Sequence, residues 1–125
     1  MPHKPDGYND ASPYLIVTDA RAVLAFLAAT FDAPSLRVIR RADGTIMHAE
    51  ARVGDTVIMM GEAPGGAPGH IHVYVPDADA TITRALLAGA SLVQAAAEKG
   101  DGDRRGGVTA PDGTTWWIAT QRPAA

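Results

Sequence analysis

An α+β fold built from two βαβββ modules is predicted for this chain by three observations. The first is an internal repeat. Tyr14 to Ala33 reads YLIVTDARAVLAFLAATFDA and His72 to Ala90 reads HVYVPDADATITRALLAGA. Both runs hold a β-branched strand, an aspartate, an amphipathic helix and a stop, in that order. Asp19 and Asp77, which open the two helices, lie 58 positions apart (77 − 19). The second observation is that short alternating strands follow each helix. The third is a Gly- and Pro-rich joint between the copies, Glu62 to Gly69 (EAPGGAPG). Two copies are too few for a solenoid. They predict one domain over residues 1–125 with pseudo-twofold modules at about 11–62 and 69–121. A shared cavity between the modules is expected, and that points to a small-molecule site.

Each element follows from local chemistry. Strand one is predicted at Ala11 to Thr18. Asp19 is a good N-cap, because its carboxylate accepts from a free helical N–H and suits the helix dipole. The helix runs to Phe31 with Val23, Phe26, Leu27 and Thr30 or Phe31 on one stripe. Pro34 ends it, since proline cannot continue a helix. Ser35 to Arg41 and Thr45 to Val53 are strands about the turn Ala42-Asp43-Gly44. Gly54-Asp55 makes a two-residue hairpin into Thr56 to Gly61. In the second module Gly69 to Val75 is a strand. Asp77 or Asp79 caps a helix with Ile82, Ala85 and Leu86 on its apolar side, and Gly89 stops it. Ala90 to Ala97 is the next strand. Glu98 to Gly107 (EKGDGDRRGG) reads as a polar, glycine-rich loop. Val108 to Ala110 and Thr115 to Gln121 flank the turn Pro111-Asp112-Gly113. Met1 to Asp10 reads as a loose arm and Arg122 to Ala125 as a short tail.

Composition narrows the function classes. The chain has 125 residues, 46% hydrophobic and 20% charged, which is ordinary for a globular domain. Its net charge is −3, so no electrostatic footprint for nucleic acid is present. Cysteine is absent, which excludes disulfides, thiolate metal sites and a cysteine nucleophile. No run of about 18 apolar residues predicts a membrane span, and no apolar core near Met1 marks a signal peptide. A cytoplasmic location is expected.

Strand alternation assigns faces. The Gly54-Asp55 hairpin sets Val53 against Thr56 and Glu50 against Met59. Met47, Ala49, Ala51, Ile58 and Met60 then share an apolar face expected under a helix. His48, Glu50, Arg52, Val57 and Met59 share the other. In the fifth strand His70, His72 and Tyr74 point one way, and Ile71, Val73 and Val75 the other.

Six stretches carry a resemblance: PDGYNDASPYLIVTDA, AFLAATFDA, DGTIMHAEARVGDTVIMM, HIHVYVPDADAT, LLAGA and GDRRGGVTAPDGTTWWIAT. Together they span nearly the whole chain. It resembles the glyoxalase, bleomycin-resistance and extradiol-dioxygenase superfamily, also called vicinal oxygen chelate. Within it, the chain looks closest to small bacterial proteins of the PhnB-like group. The resemblance implies a curled eight-stranded sheet around a cavity, with helices outside, usually in a homodimer. Metal-dependent members place four ligands on the first and last strands of each module. Here those positions look like Ser12, Met59, His70 and Trp117. Only His70 is a good ligand for a divalent metal, so no metal cofactor is expected. The family's Asp-Pro-Phe-Gly-His turn is altered to Ala110-Pro111-Asp112-Gly113-Thr114.

The candidate ligand-binding residues are Tyr14, Met59, His70, His72, Tyr74 and Trp117. By parity all six fall on faces opposite the helix-packed residues. An indole offers a stacking plane, and methionine an adaptable apolar surface. Trp116 is expected to pack beneath the helices or at the dimer contact. The candidate catalytic residues are His48, Glu50 and His70. Glu50 in a dry pocket would have a raised pKa and act as a base; alternatively it pairs with Arg52 or an arginine of a neighbouring strand. If His48, Glu50, His70 and His72 converge, an off-pattern metal site is open to them. Two functional readings follow. One is a module that binds an aromatic or polyketide-like molecule for resistance or sequestration. The other is a lyase, isomerase or dioxygenase-type enzyme using a rearranged metal site or His/Glu acid–base groups. A small-molecule ligand and a second copy of the chain are the expected partners; nucleic acid and membrane are not.

Overall fold

The computed structural model describes residues 3–122. Met1 and Pro2 of the predicted arm, and residues 123–125 of the predicted tail, lie outside the described residues. The elements run β1 (Tyr14–Val17), α1 (Ala20–Phe31), β2 (Ser35–Arg40), β3 (Ile46–Val53), β4 (Thr56–Glu62), β5 (His70–Tyr74), α2 (Ala78–Leu87), β6 (Ser91–Glu98), β7 (Asp103–Thr109) and β8 (Thr115–Gln121). This is βαβββ twice over. The chain divides into two compact units, Met1–Ala67 and Pro68–Ala125, at the predicted joint.

Each unit is a four-stranded mixed sheet with one helix. The first sheet has the order β1-β4-β3-β2 and the second β5-β8-β7-β6. In both, the first strand pairs parallel with the last, and the other pairs are antiparallel. Both aspartates cap as expected. Asp19 accepts from the Ala22 N–H and Asp77 from the Ala80 N–H, each at 3.1 Å. The alternative cap, Asp79, instead takes a salt bridge from Arg104 at 2.7 Å.

The first module is built on a short hairpin. Gly54 has φ +60°, a conformation glycine adopts without strain, and it turns β3 into β4. The register sets Val53 against Thr56 and Glu50 against Met59. Under α1, whose Val23, Phe26 and Leu27 are buried, lie Ala49, Ala51, Ile58 and Met60. Met47 departs from the expected apolar face. It is 46% exposed, while Ile46 is 2% exposed. The cause is a bulge: Ile39 pairs with His48 but Arg40 pairs with Ile46, so Met47 is the extra residue.

The N-terminal segment departs from the predicted loose arm. Residues 7–9 are tied to β3 and β4 through Arg52 to the Gly7 carbonyl, Asn9 to Thr56, and Tyr8 to Glu50. On that face Val57 and Glu50 are buried.

The second module corrects two further expectations. Leu86 is 39% exposed; α2 buries Ala78, Thr81, Ile82 and Ala85 instead. The predicted loop Glu98 to Gly107 is mostly strand, because β7 begins at Asp103 and pairs along its length with β8. Its glycines serve close packing. A Cβ on Gly106 would stand 2.6 Å from Ile82 Cδ1 and 2.8 Å from the Gln94 carbonyl. A Cβ on Gly107 would stand 2.6 Å from the Trp117 ring. Glycine inside a strand often marks such a close approach. Trp116 is 1% exposed, on the helix side, and Trp117 is half-buried on the other face.

Candidate functional site

The first module gathers four side chains into a hydrogen-bonded row. His48 Nε2 lies 2.7 Å from Glu50 Oε2, and Tyr14 Oη lies 3.3 Å from His48 Nδ1. The two residues of β3 are two apart, so they share a face. Tyr14 reaches them from β1 across β4, where it is the partner of Met59. The fourth member is Tyr8, whose hydroxyl donates to Glu50 Oε1 at 2.5 Å. Burial pushes the Glu50 carboxyl up, but hydrogen bonds from His48 and Tyr8, with the charges of His48 and Arg37, outweigh it. The net effect holds Glu50 below its ordinary value. The expectation of a raised glutamate pKa is therefore corrected: hydrogen bonding to the charged form wins over desolvation. Arg52 is not its partner either. The same bond raises the Tyr8 phenol above its ordinary value. The row holds a carboxylate that orients an imidazole, and the imidazole faces a half-exposed phenol.

The second module gathers a different set. His70, His72 and Tyr74 line one face of β5, with Thr115, Trp117 and Ala119 as their partners on β8. Trp117 Nε1 donates to His70 Nδ1 at 3.1 Å, and the two rings are nearly parallel, 8° apart in plane with centroids 6.2 Å apart. Arg105 Nε donates to His72 Nε2 at 3.0 Å. The same guanidinium donates to Asp103 at 2.7 Å and Asp101 at 3.1 Å. The Arg105 bond holds the Asp101 carboxyl below its ordinary range. Tyr74 packs edge-on against His72, with centroids 4.9 Å apart, and its hydroxyl donates to Asp103 at 2.9 Å. That bond raises the Tyr74 phenol.

The six expected ligand-binding residues thus fall into two groups, Tyr14 with Met59 and His70, His72, Tyr74 with Trp117. Of the catalytic candidates, His48 and Glu50 bond to each other, while His70 bonds to Trp117. The four positions that match the family's metal ligands do not fit a divalent transition metal. Met59 offers only a thioether, Ser12 a hydroxyl, and Trp117 an N–H donor already given to His70; a stable site needs three or more imidazole, carboxylate or thiolate ligands. Among the described residues no three histidine, aspartate or glutamate side chains come together to hold a metal. Sequence alone does not point to Tyr8, Asp103 or Arg105. The signal for the last two was present as alternation in Asp103-Arg104-Arg105, masked by four neighbouring glycines.

Two open grooves are also present, the second of them sharing Tyr74 with the group on β5. One of about 520 Å³ is lined by Thr18, Arg41, Asp43, Thr45 and Glu62, and one of about 570 Å³ by Tyr74, Val75, Pro76, Thr120 and Gln121. No helix among the described residues is long and apolar enough to cross a membrane.

Comparison with known proteins places these features. The family model described as Glyoxalase/Bleomycin resistance protein/Dioxygenase superfamily matches residues 11–118. An uncharacterized protein of Mycobacterium bovis is 38% identical over 119 residues, spanning 84% of this chain and 78% of that protein. Among solved structures, TioX from Micromonospora sp. ML1 superposes with a TM-score of 0.76 at 26% identity, covering 90% of this chain and 98% of that one. The genomically encoded fosfomycin resistance protein FosX from Listeria monocytogenes superposes with a TM-score of 0.68 at 14% identity, covering 90% and 92%. The last likeness is one of fold.

Proposed function

The chain belongs to the glyoxalase/bleomycin resistance protein/dioxygenase superfamily, and on that premise we propose that it is a small-molecule-binding protein working without the superfamily's usual catalytic metal. Its ligand is an aromatic or polyketide-like compound, and its role is sequestration or resistance. The observation that carries this reading is the Trp117–His70 pair: an indole and an imidazole lie nearly parallel on the neighbouring strands β8 and β5, at positions that match those where the superfamily's metal-dependent members keep ligands. A flat wall with a polar edge is what binding of a planar molecule needs. The resistance half of the reading draws on the family's description, which names bleomycin resistance proteins. We propose further that the protein acts as a cytoplasmic homodimer. Sedimentation at micromolar concentration should then give about twice the 13.0 kDa chain mass.

The test is a screen of planar aromatic compounds followed by tryptophan quenching. A true ligand should quench, and Trp117→Ala should weaken it tenfold or more, about 1.4 kcal/mol. Unchanged affinity in a folded Trp117→Ala protein would remove the assignment.

A second reading is favoured by a separate observation, the Tyr14–His48–Glu50 row. Glu50 as carboxylate accepts the His48 Nε2 proton and leaves Nδ1 to take one from Tyr14, an acid–base arrangement of the kind that activates a hydroxyl. An isomerase or lyase built on it would lose turnover in His48→Gln while keeping ligand affinity.

A further inference from the structure

We infer that His70 and His72 are held as neutral imidazoles of opposite tautomer, and that with the Trp117 ring they recognise a flat ligand bearing a neutral carbonyl acceptor. This deepens the binding reading above and rests on Trp117 being a ligand wall.

Two donors on this face have no choice of role. An indole Nε1 and a guanidinium Nε only donate hydrogen bonds. The nitrogen each one faces must therefore carry a lone pair. Trp117 faces His70 Nδ1 at 3.1 Å, so the His70 proton sits on Nε2. Arg105 faces His72 Nε2 at 3.0 Å, so the His72 proton sits on Nδ1. The tautomer of a histidine is set by the bond its other nitrogen makes. Metal ligation needs a lone pair, and here both are already used. The H-x-H pair on β5 therefore offers two N–H groups, not two ligating nitrogens.

Charge then selects the acceptor. Arg105 is flanked by Asp103 at 2.7 Å and Asp101 at 3.1 Å. Two carboxylates against one guanidinium leave the cluster net negative, which opposes an organic anion. Two N–H donors with no free lone pair beside them oppose a cation. A carbonyl oxygen on a planar ring accepts from these donors and stacks on the indole without either cost. Arg105 is on this view a positioning residue: it holds His72 in the donor form.

Long-range proton–nitrogen correlation spectra of nitrogen-15-labelled protein at neutral pH read the tautomers directly. The expected result is Nε2–H for His70 and Nδ1–H for His72. Trp117→Phe should release His70 alone, and Arg105→Met or Arg105→Lys should release His72 alone. His72 in the Nε2–H form, or unmoved by both Arg105 variants, overturns the tautomer assignment. One equivalent of zinc chloride should leave both rings unchanged; stoichiometric shifts at both overturn it too. For ligand class, three two-ring probes are compared by tryptophan quenching: chromone, 2-naphthoate and N-methylquinolinium. Chromone should bind at least tenfold more tightly than the other two, and His72→Phe should remove that margin. A tightest fit for the anion or the cation overturns the ligand class. If none of the three quenches, the ligand class falls together with the binding reading, while the spectra still decide the donor assignment.

Discussion

Met59 and Trp117 occupy matching places on the last strands of the two modules, at the same 58-residue interval as the helix caps (117 − 59). The residue paired with Met59 is Glu50; the residue paired with Trp117 is Gly107. The two modules thus divide the same space differently. In the second, a ring of indole size leaves no room for even a methyl group across the strand. In the first, the slimmer methionine leaves room for a carboxylate, which is buried and bonded on two sides. Elsewhere the modules stay alike. The first helical N–H of α1 is taken by Glu62 and that of α2 by Thr120, again 58 apart. The frame is repeated because capping and strand pairing tolerate no alternative. The face away from the helix is not repeated: in the first module it holds a buried Glu50 bonded to His48 and Tyr8, and in the second Trp117 bonded to His70 beside the Arg105–Asp103 ion pair.

The largest effect that would sharpen this comparison lies beneath the helix of the second module. Trp116 is 1% exposed, so Trp116→Ala should cost about 3–5 kcal/mol through lost burial and a residual cavity. Trp117→Ala, one residue on, should cost much less. Equal losses in urea unfolding would show that strand parity does not divide the two roles.

Next comes the trade of volume between neighbours. Gly107→Ala should destabilise by about 1–3 kcal/mol through overpacking against the indole. Combining it with Trp117→Met, the first module's choice, should recover most of that loss. Additive losses in the double variant would break the comparison.

Glu50 of the first module predicts a pH dependence. Glu50 has a folded-state pKa below its ordinary value of 4.5. Its contribution is therefore present above that value and is lost as pH falls through the lower folded-state value. Tyr8→Phe removes one of the bonds responsible and should lower stability at neutral pH. The difference from wild type should shrink at pH well below the carboxylate range. Denaturant midpoints across an acid series measure this, and a pH-independent difference would contradict the assigned cause.

The smallest effect tests the likeness. Asp19→Ala and Asp77→Ala should each cost about 1 kcal/mol, because both lose one cap bond of the same length. Thermal unfolding of the two variants should agree; a clear inequality would mean the caps are not equivalent.

Much of the fold was legible in local patterns. The repeat, both caps, the Gly54-Asp55 hairpin and the Glu50–Met59 register follow from turn chemistry and period-two alternation, which act between near neighbours. Less of the site was legible. His48 beside Glu50, and His70 beside His72, follow from strand parity. Their partners do not, because Tyr8 and Arg105 meet them from distant parts of the chain. Asp103 to Gly107 reads as a loop in sequence because glycine there signals freedom, whereas in the structure it serves close approach to Ile82 and Trp117.

By itself the sequence determined two βαβββ modules, their caps, their hairpin and which side chains share a strand face. These depend on φ/ψ preferences, helix-end hydrogen bonds and side-chain periodicity, all of which are local. Only the tertiary structure decided the bulge that exposes Met47, the burial of Glu50 against Tyr8, and the different ring nitrogens by which His70 meets Trp117 and His72 meets Arg105. Those depend on which groups meet across strands, and a buried carboxylate or an imidazole takes its charge state and its tautomer from the partner it meets.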